Sequence, residues 1–197
     1  MVLGYHVIFT AYGFWLPNDP RGSWSDLVRS WELARFGPAT KVGVRRSVAG
    51  VRHDWEARQE AKGALRYLPV SFCGRQCVAI AHGFKRAIER SGFLIYACSI
   101  LPEHVHLVIA RHTYSVERVR QQLKGEAAKA LRAEGLHPFA GVVQRNNQLH
   151  SPWADEGWDV YLNTDDDIRR AIRYVDENPV KEGKRRQAWS FVVPFDV

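Results

Sequence analysis

Four strand-like segments and two amphipathic helices follow one another in the order strand, helix, strand, strand, helix, strand. This order is typical of a ferredoxin-like split βαβ sandwich, an α+β fold whose antiparallel central sheet carries its helices on one face. The chain has 197 residues, of which 46% are hydrophobic, and such a length suits one sizeable core rather than two. We therefore expect one domain over residues 1–197.

The first strand is expected over residues 5–12, which are rich in β-branched and aromatic side chains. From about 13 to 75 the regular pattern is interrupted. This region mixes Trp, Pro, Gly and Arg, and it contains turn-forming residues at 18–20 and a basic patch around Arg45 and Arg46. A charged segment follows at 54–66, in which Trp55 to Leu65 favour a helix. We interpret it as an insertion after the first strand.

Regular patterning returns near residue 75, where apolar side chains recur at helical spacing until Gly92 ends the helix. Residues 93–100 and 104–111 then predict two strands joined by a tight turn at 101–103, which together form an antiparallel hairpin. A second amphipathic helix is expected over 115–134, and a short strand over 158–162.

A last helix begins after Thr164, whose hydroxyl can cap it, with three aspartates in the first turn. We expect it to end at Asn178, because the residue before a proline is disfavoured in the α region. Its core-facing stripe consists of Ile168, Ala171, Ile172 and Val175.

Two histidines, His104 and His106, stand at the start of the second hairpin strand. Side chains at i and i+2 of a strand project from the same face, so the two imidazoles are expected side by side. Imidazole pairs suit a divalent metal. Taken alone, such a pair is also explained by packing or by surface exposure.

Tyr174 and Asn178 lie four residues apart in the last helix and therefore share one row on the shoulder of its apolar stripe. A tyrosine hydroxyl is a candidate nucleophile. Since a free phenol has a pKa near 10, its attack on phosphorus at neutral pH requires a nearby cation. Taken alone, Tyr174 is equally a phenol at the edge of the core, and Asn178 an ordinary helix terminator.

Residues 101–107, Leu-Pro-Glu-His-Val-His-Leu, and 174–183, Tyr-Val-Asp-Glu-Asn-Pro-Val-Lys-Glu-Gly, together resemble the single-tyrosine HUH transposases, most closely the REP-associated tyrosine transposases. The resemblance covers strand one and residues 78–185 and leaves 13–75 outside the family pattern. It implies that His104, His106 and Asn178 bind a divalent metal, Mg²⁺ or Mn²⁺. It implies further that Tyr174 is the nucleophile.

The same resemblance implies an activity. Single-stranded DNA would be nicked, at hairpin-forming repeats, through a covalent 5′-phosphotyrosine intermediate and a free 3′-OH, followed by strand transfer. Because the bond energy is retained in the intermediate, the reaction is a strand transfer rather than a hydrolysis. The DNA target, and a role in mobility as opposed to a host function, are left open by the sequence.

The charge of the chain is consistent with a nucleic-acid partner. The net charge is +7 and the pI about 9.5, which favours polyanions such as single-stranded or hairpin DNA over acidic small molecules. Cations beside and after the tyrosine are candidates for phosphate contacts, with a solvated basic face as the alternative. They are Arg169, Arg170, Arg173, Lys181, Lys184, Arg185 and Arg186.

Several other residues allow two interpretations. His6 could face the site, although we favour simple packing, and Glu103 is either a turn residue or a carboxylate that orients a histidine. Tyr161 is a competing candidate for the nucleophile, but it lacks a polar partner at the spacing that relates Asn178 to Tyr174. Four tryptophans in loop-like contexts either stack on unpaired bases or belong to the core: Trp15, Trp24, Trp153 and Trp158.

Two other functional classes are considered. One is a catalytically silent nucleic-acid binding module with the same fold, and the other a histidine-triad nucleotidyl hydrolase, which is disfavoured because Val108 stands where a third alternating histidine is needed. We expect a cytoplasmic protein with no membrane partner, because three cysteines form no disulfide or zinc-ribbon pattern and no signal peptide or membrane span is evident. Monomer and homodimer both remain open.

Overall fold

The computed structural model describes residues 1–43, 48, 50–142 and 148–196. The strands are β1 (Gly4–Ala11), β2 (Ile95–Ile100), β3 (His104–Ala110) and β4 (Trp153–Leu162). The helices are α1 (Trp31–Ala34), α2 (Trp55–Gly63), α3 (Gly74–Ser91), α4 (Val116–Ala133) and α5 (Asp165–Lys181). The basic patch predicted around Arg45 and Arg46 lies outside the described residues.

The four strands form one antiparallel sheet in the order β2-β3-β1-β4. β1 lies in the middle, paired with β3 on one side and with β4 on the other, while β2 and β3 form the predicted hairpin. With α3 between β1 and β2 and α4 between β3 and β4, this is the split βαβ arrangement. The predicted fold class is confirmed.

The sheet has an apolar cover on both faces. α3 and α4 pack on one face, where Phe9, Phe84 and Leu107 belong to the main core. α5 packs on the opposite face, where Val175 meets Ala97 and Val108. The expectation that the helices lie on one face thus holds for α3 and α4 and is wrong for α5. The physical reason is that β3 is buried on both sides, and such a strand needs a helix layer on each face.

Two element boundaries differ from the sequence-based expectation by three residues or more in ways that affect the site. β4 begins at Trp153 rather than 158, because its first residues pair with the end of β1 across a bulge between Phe9 and Ala11. α5 does not end at Asn178 but continues through Pro179 to Lys181. Burial of Asn178 and Pro179 holds this last turn in place despite the local preference, and the amide of Glu182 closes it by donating to the Asn178 carbonyl.

The segment between β1 and α3 carries α1 and α2 and is held together by its own interactions. A small apolar cluster of Leu16, Leu33 and Ala61 lies at its centre. Asp19, which has no exposed surface, accepts from Arg21 at 2.8 Å and lies 3.3 Å from Arg58. A buried carboxylate is tolerated because two guanidinium groups surround it. The described residues of this segment therefore form a wall beside the sheet.

None of the described helices combines the length and the apolar composition needed to cross a membrane.

The crossing of α3 and α4 depends on Gly83. A Cβ atom at this position would lie 2.5 Å from both the Ala127 Cα and the Glu126 carbonyl oxygen, so the two backbones would have to separate. We expect Gly83→Ala to lower the free energy of unfolding by about 1–3 kcal/mol, as overpacked cores do. Urea unfolding followed by circular dichroism measures this change.

Gly125 provides the matched control for that experiment. It also lies within a helix, α4, but a Cβ atom there would meet no described atom within 4 Å. Gly125→Ala should raise the stability by about 0.8–1.0 kcal/mol, because alanine is the better helix former. Equal stability of the Gly83→Ala variant and the parent would show that the helices do not cross this closely.

Candidate active site

The two histidines of β3 lie on the face of the sheet that α5 covers. Their ring centroids are 5.0 Å apart, and the ring centroid of Tyr174 lies 5.6 Å from that of His106. Asn178 reaches the same place, with its Nδ2 atom 3.4 Å from Nε2 of His104 across 74 residues of sequence. The four residues predicted as metal ligands and nucleophile are thus neighbours in space.

His6 contributes a third imidazole that sequence reasoning had favoured as a packing residue. It lies on β1 opposite Val108, which places its side chain on the same face as His106. Its Nε2 is hydrogen-bonded to Nδ1 of His106 at 2.9 Å, and its ring centroid lies 5.6 Å from that of Tyr174. When His106 Nδ1 donates in this bond, its Nε2 keeps the lone pair that a metal ligand needs.

Glu182 is a further residue of the site that the sequence analysis missed. Its Oε1 lies 3.3 Å from Nε2 of His104, the nitrogen that Asn178 also approaches. Tyr174, Asn178 and Glu182 are spaced by four residues and continue one row along and just beyond α5. The spacing was visible in the sequence, but a helix expected to end at Asn178 excluded Glu182 from that row.

Burial keeps the imidazoles of this site neutral. It lowers the pKa of His6 to about 4. It also lowers the pKa of His106 well below the ordinary value, with the neighbouring His104 and His6 acting in the same direction. Burial lowers the pKa of His104 too, although the Glu182 carboxylate opposes this shift. Neutral imidazoles carry the free lone pair that metal coordination requires.

The donor atoms fit a divalent cation of intermediate softness. Among the described residues no three His, Cys, Asp or Glu side chains are spaced to hold a metal ion, so a ligand set here would include the Asn178 amide oxygen. Nδ1 of His104 is buried with no hydrogen-bond partner in the described part of the chain, a group that a bound water could satisfy. Two imidazoles with an amide oxygen suit Mn²⁺ better than Mg²⁺.

Tyr174 is accessible, unlike the imidazoles beside it. Its side chain is 41% exposed, whereas His106 is 6% exposed. The ammonium of Lys181 lies 5.0 Å from its ring centroid, within the range of a cation–π contact, and 3.4 Å from the Glu177 carboxylate. Tyr174 therefore lies at the solvent-exposed edge of the site.

The cations predicted to contact phosphates are all exposed around α5 and the residues after it. Several have acidic neighbours: Arg169 lies 3.9 Å from Asp166, Arg170 pairs with Asp167, and Lys184 lies 3.5 Å from Glu182. Exposed pairs of this kind contribute little to stability, so they leave the cations available to a polyanion. Their role in DNA binding stays a prediction.

The structure places three residues for which the sequence analysis left two interpretations. Tyr161 packs edge-on against Tyr5, on the α3 and α4 face, and is therefore on the wrong side of the sheet to compete as nucleophile. Trp153 belongs to the main core. The carboxylate of Glu103 accepts from the Ser71 hydroxyl at 3.2 Å and thus ties the end of the insertion to the hairpin turn.

A cavity of about 790 Å³ opens beside Tyr174. Its floor is formed by β1 and β4, one side by α5 with Tyr174 and Asn178, and the other side by the insertion. Aromatic side chains line much of the insertion side, and the Phe14 ring stacks on that of His104 with centroids 5.5 Å apart. The volume lies within the range of about 300–1,000 Å³ that is usual for ligand sites.

The fold and the site together define a class: an α+β sandwich that gathers a histidine pair, an amide and an exposed tyrosine on one sheet face. No protein-family model and no curated protein matches the chain. Among solved structures, it is similar to a REP-associated tyrosine transposase bound to a REP hairpin, with 22% identity, a TM-score of 0.46, and coverage of 64% of this chain and 70% of that one. It is also similar to a candidate transposase from Deinococcus radiodurans R1, with 14% identity, a TM-score of 0.38, and coverage of 90% and 91%.

Proposed function

We propose that this chain is a single-tyrosine HUH transposase of the REP-associated kind, which nicks and rejoins single-stranded DNA in a metal-dependent reaction. The observation that carries the proposal is the convergence of Tyr174 with His104, His106 and Asn178 on one face of the sheet, from segments 74 residues apart. Each of these residues, taken alone, has an ordinary structural explanation. No such explanation accounts for the other three being gathered beside the exposed Tyr174.

In the proposed reaction the Tyr174 hydroxyl attacks the phosphorus of a phosphodiester in the DNA strand. The bond between the tyrosine oxygen and phosphorus forms as the bond between phosphorus and the 3′ oxygen breaks. The phenol loses its proton, and the departing oxygen takes one up to become a 3′-OH. Since one phosphodiester replaces another, a second 3′-OH can attack the phosphotyrosine, which releases Tyr174 and joins the strands.

The proposed ligands of the divalent metal are His104, His106 and Asn178, and Glu182 is proposed to orient the His104 ring, from which its Oε1 lies 3.3 Å away. When bound, such an ion polarises the scissile phosphate and offsets the charge that develops during attack. His6 holds the His106 ring in place through its 2.9 Å hydrogen bond. Lys181, above the Tyr174 ring, can contact the phosphate that the tyrosine attacks.

The substrate in this proposal is single-stranded or hairpin DNA. Arg173, Arg185 and Arg186 are exposed beside the proposed nucleophile, and the chain as a whole carries a charge of +7. Phosphate contacts by such cations position a strand without selecting its sequence. Binding should therefore weaken steeply as the salt concentration rises.

A covalent capture experiment tests the function. The protein is incubated with a pool of single-stranded DNA that carries random sequence beside a hairpin, and adducts that survive denaturing gel electrophoresis are sequenced. We expect adducts with Mn²⁺ and their loss with a chelator. DNA binding without any adduct would instead indicate the catalytically silent binding module, and adducts that persist in the chelator would contradict the metal-dependent mechanism.

A further inference from the structure

The insertion between β1 and α3, which the family resemblance leaves unexplained, forms one wall of the cavity beside Tyr174. Trp24 of the insertion contacts Trp158 of β4, with ring centroids 3.7 Å apart, and stacks on Trp15 at 6.0 Å. The three rings are partly buried, so each keeps some exposed surface at the cavity that all three line. This is an aromatic lining next to a candidate nucleophile.

We propose that this lining, which we name the tryptophan pocket (Trp15, Trp24 and Trp158), binds one unpaired nucleobase of the DNA strand beside the scissile phosphate. The inference rests on the proposed function for the identity of the strand. When Tyr174 attacks the phosphate of a nucleotide, the base of that nucleotide lies no farther from the Tyr174 hydroxyl than the length of one nucleotide. The cavity that Tyr174 lines is the space within that reach.

The chemistry of the pocket suits a base better than a purely apolar ligand. Every base has a π face, so aromatic side chains hold single strands with little dependence on sequence. The guanidinium of Arg21 lies 3.8 Å from the Trp15 ring centroid, and exposed Arg29 and Arg66 also line the cavity, near the phosphates of such a strand. The indole N–H of Trp24 is buried and has no acceptor among the described residues, so Trp24 would meet a base with its ring and not with this donor.

Buried hydrogen bonds and ion pairs stabilise the conformation of the tryptophan pocket. The Trp15 indole N–H donates to the Gly22 carbonyl at 2.8 Å, and Arg21, which stacks on that indole, is bound by the fully buried Asp19. A recognition site ordered in advance loses less entropy when its ligand binds. The buried ion pair between Asp19 and Arg21 therefore helps to order the tryptophan pocket before a ligand binds.

A double-mutant cycle between protein and DNA tests the proposal. Anisotropy of a labelled oligothymidylate strand, in chelator and hence without cleavage, gives the affinity of the parent and of Trp24→Ala. The affinities of both proteins are also measured for a series of strands, each of which lacks the base at one position. We expect one abasic position to weaken binding by the parent about 5- to 150-fold, Trp24→Ala to weaken the intact strand similarly, and the two losses not to add.

Trp55→Ala is the matched control, since Trp55 lies in the same insertion, is 62% exposed and does not line the cavity. It should bind both strands as the parent does. Trp24→Phe keeps an aromatic face and should retain most of the affinity, which separates loss of stacking from loss of folding.

Losses that add at every abasic position would overturn the tryptophan pocket, whatever the outcome of the capture experiment. Equal affinity of Trp24→Ala and the parent would overturn it as well. Absence of adducts, by contrast, contradicts the proposed strand transfer and not base binding, because the anisotropy cycle contains no cleavage step.

Discussion

Tyr174→Phe should abolish the covalent adduct with DNA. The substitution removes only the hydroxyl and leaves the ring against His6 and His106, so the fold and strand binding should be nearly unchanged. Removal of a nucleophile costs about 10⁶-fold in kcat in a well-studied hydrolase, so the adduct should fall below detection. Denaturing gels measure the adduct, and anisotropy measures binding.

Tyr161→Phe serves as the control for this experiment. Tyr161 is exposed like Tyr174 but lies on the opposite side of the sheet, in contact with Tyr5. Its variant should form the adduct as the parent does. If Tyr174→Phe formed a normal amount of adduct while Tyr161→Phe formed none, the nucleophile would have to be reassigned.

The second large effect is expected at the proposed metal site. His106→Ala removes a buried imidazole that lies between the rings of His104 and His6, and should abolish both Mn²⁺ binding and adduct formation. Electron paramagnetic resonance of free Mn²⁺ and calorimetry measure the affinity directly, without reference to DNA. Retention of parental Mn²⁺ affinity by this variant would exclude His106 as a ligand.

His6 should act on the metal only through His106. We expect His6→Phe, which removes the 2.9 Å hydrogen bond, to weaken Mn²⁺ binding about 10–100-fold, and His6→Gln, which keeps a hydrogen-bonding amide, to recover part of it. His82→Ala is the matched control, because this exposed histidine of α3 pairs with Glu134 away from the site. Equal affinities of His6→Phe and the parent would leave His6 with a packing role only.

Local periodicity explains why much of the site was predictable. The two-residue repeat of a strand places His104 and His106 on one face wherever that strand lies, and the 3.6-residue repeat of a helix aligns Tyr174 with Asn178. The order of elements follows from the same patterns, and it is sufficient to define the split βαβ fold. These features depend on neighbours in sequence and so are visible without coordinates.

Other features depend on contacts between distant segments. In β1, Tyr5, Val7 and Phe9 alternate with His6, Ile8 and Thr10, so the pattern separates His6 from the uniformly apolar face. Only the pairing with β3 decides that the face of His6 is also the face of His106 and α5. The last turn of α5 contradicts the local effect of Pro179, and its burial brings Glu182 to His104. In the same way, the tryptophans of the insertion could be assigned only by what they contact.

The sequence by itself determined the fold class, the two imidazoles on one strand face, and the tyrosine and asparagine on one helix row, because each follows from a local repeat. The tertiary structure alone decided that α5 covers the opposite face from α3 and α4, that His6 supports His106, and that the insertion lines a cavity beside Tyr174. Those outcomes depend on the burial of apolar surface between segments far apart in the chain, which no local pattern records.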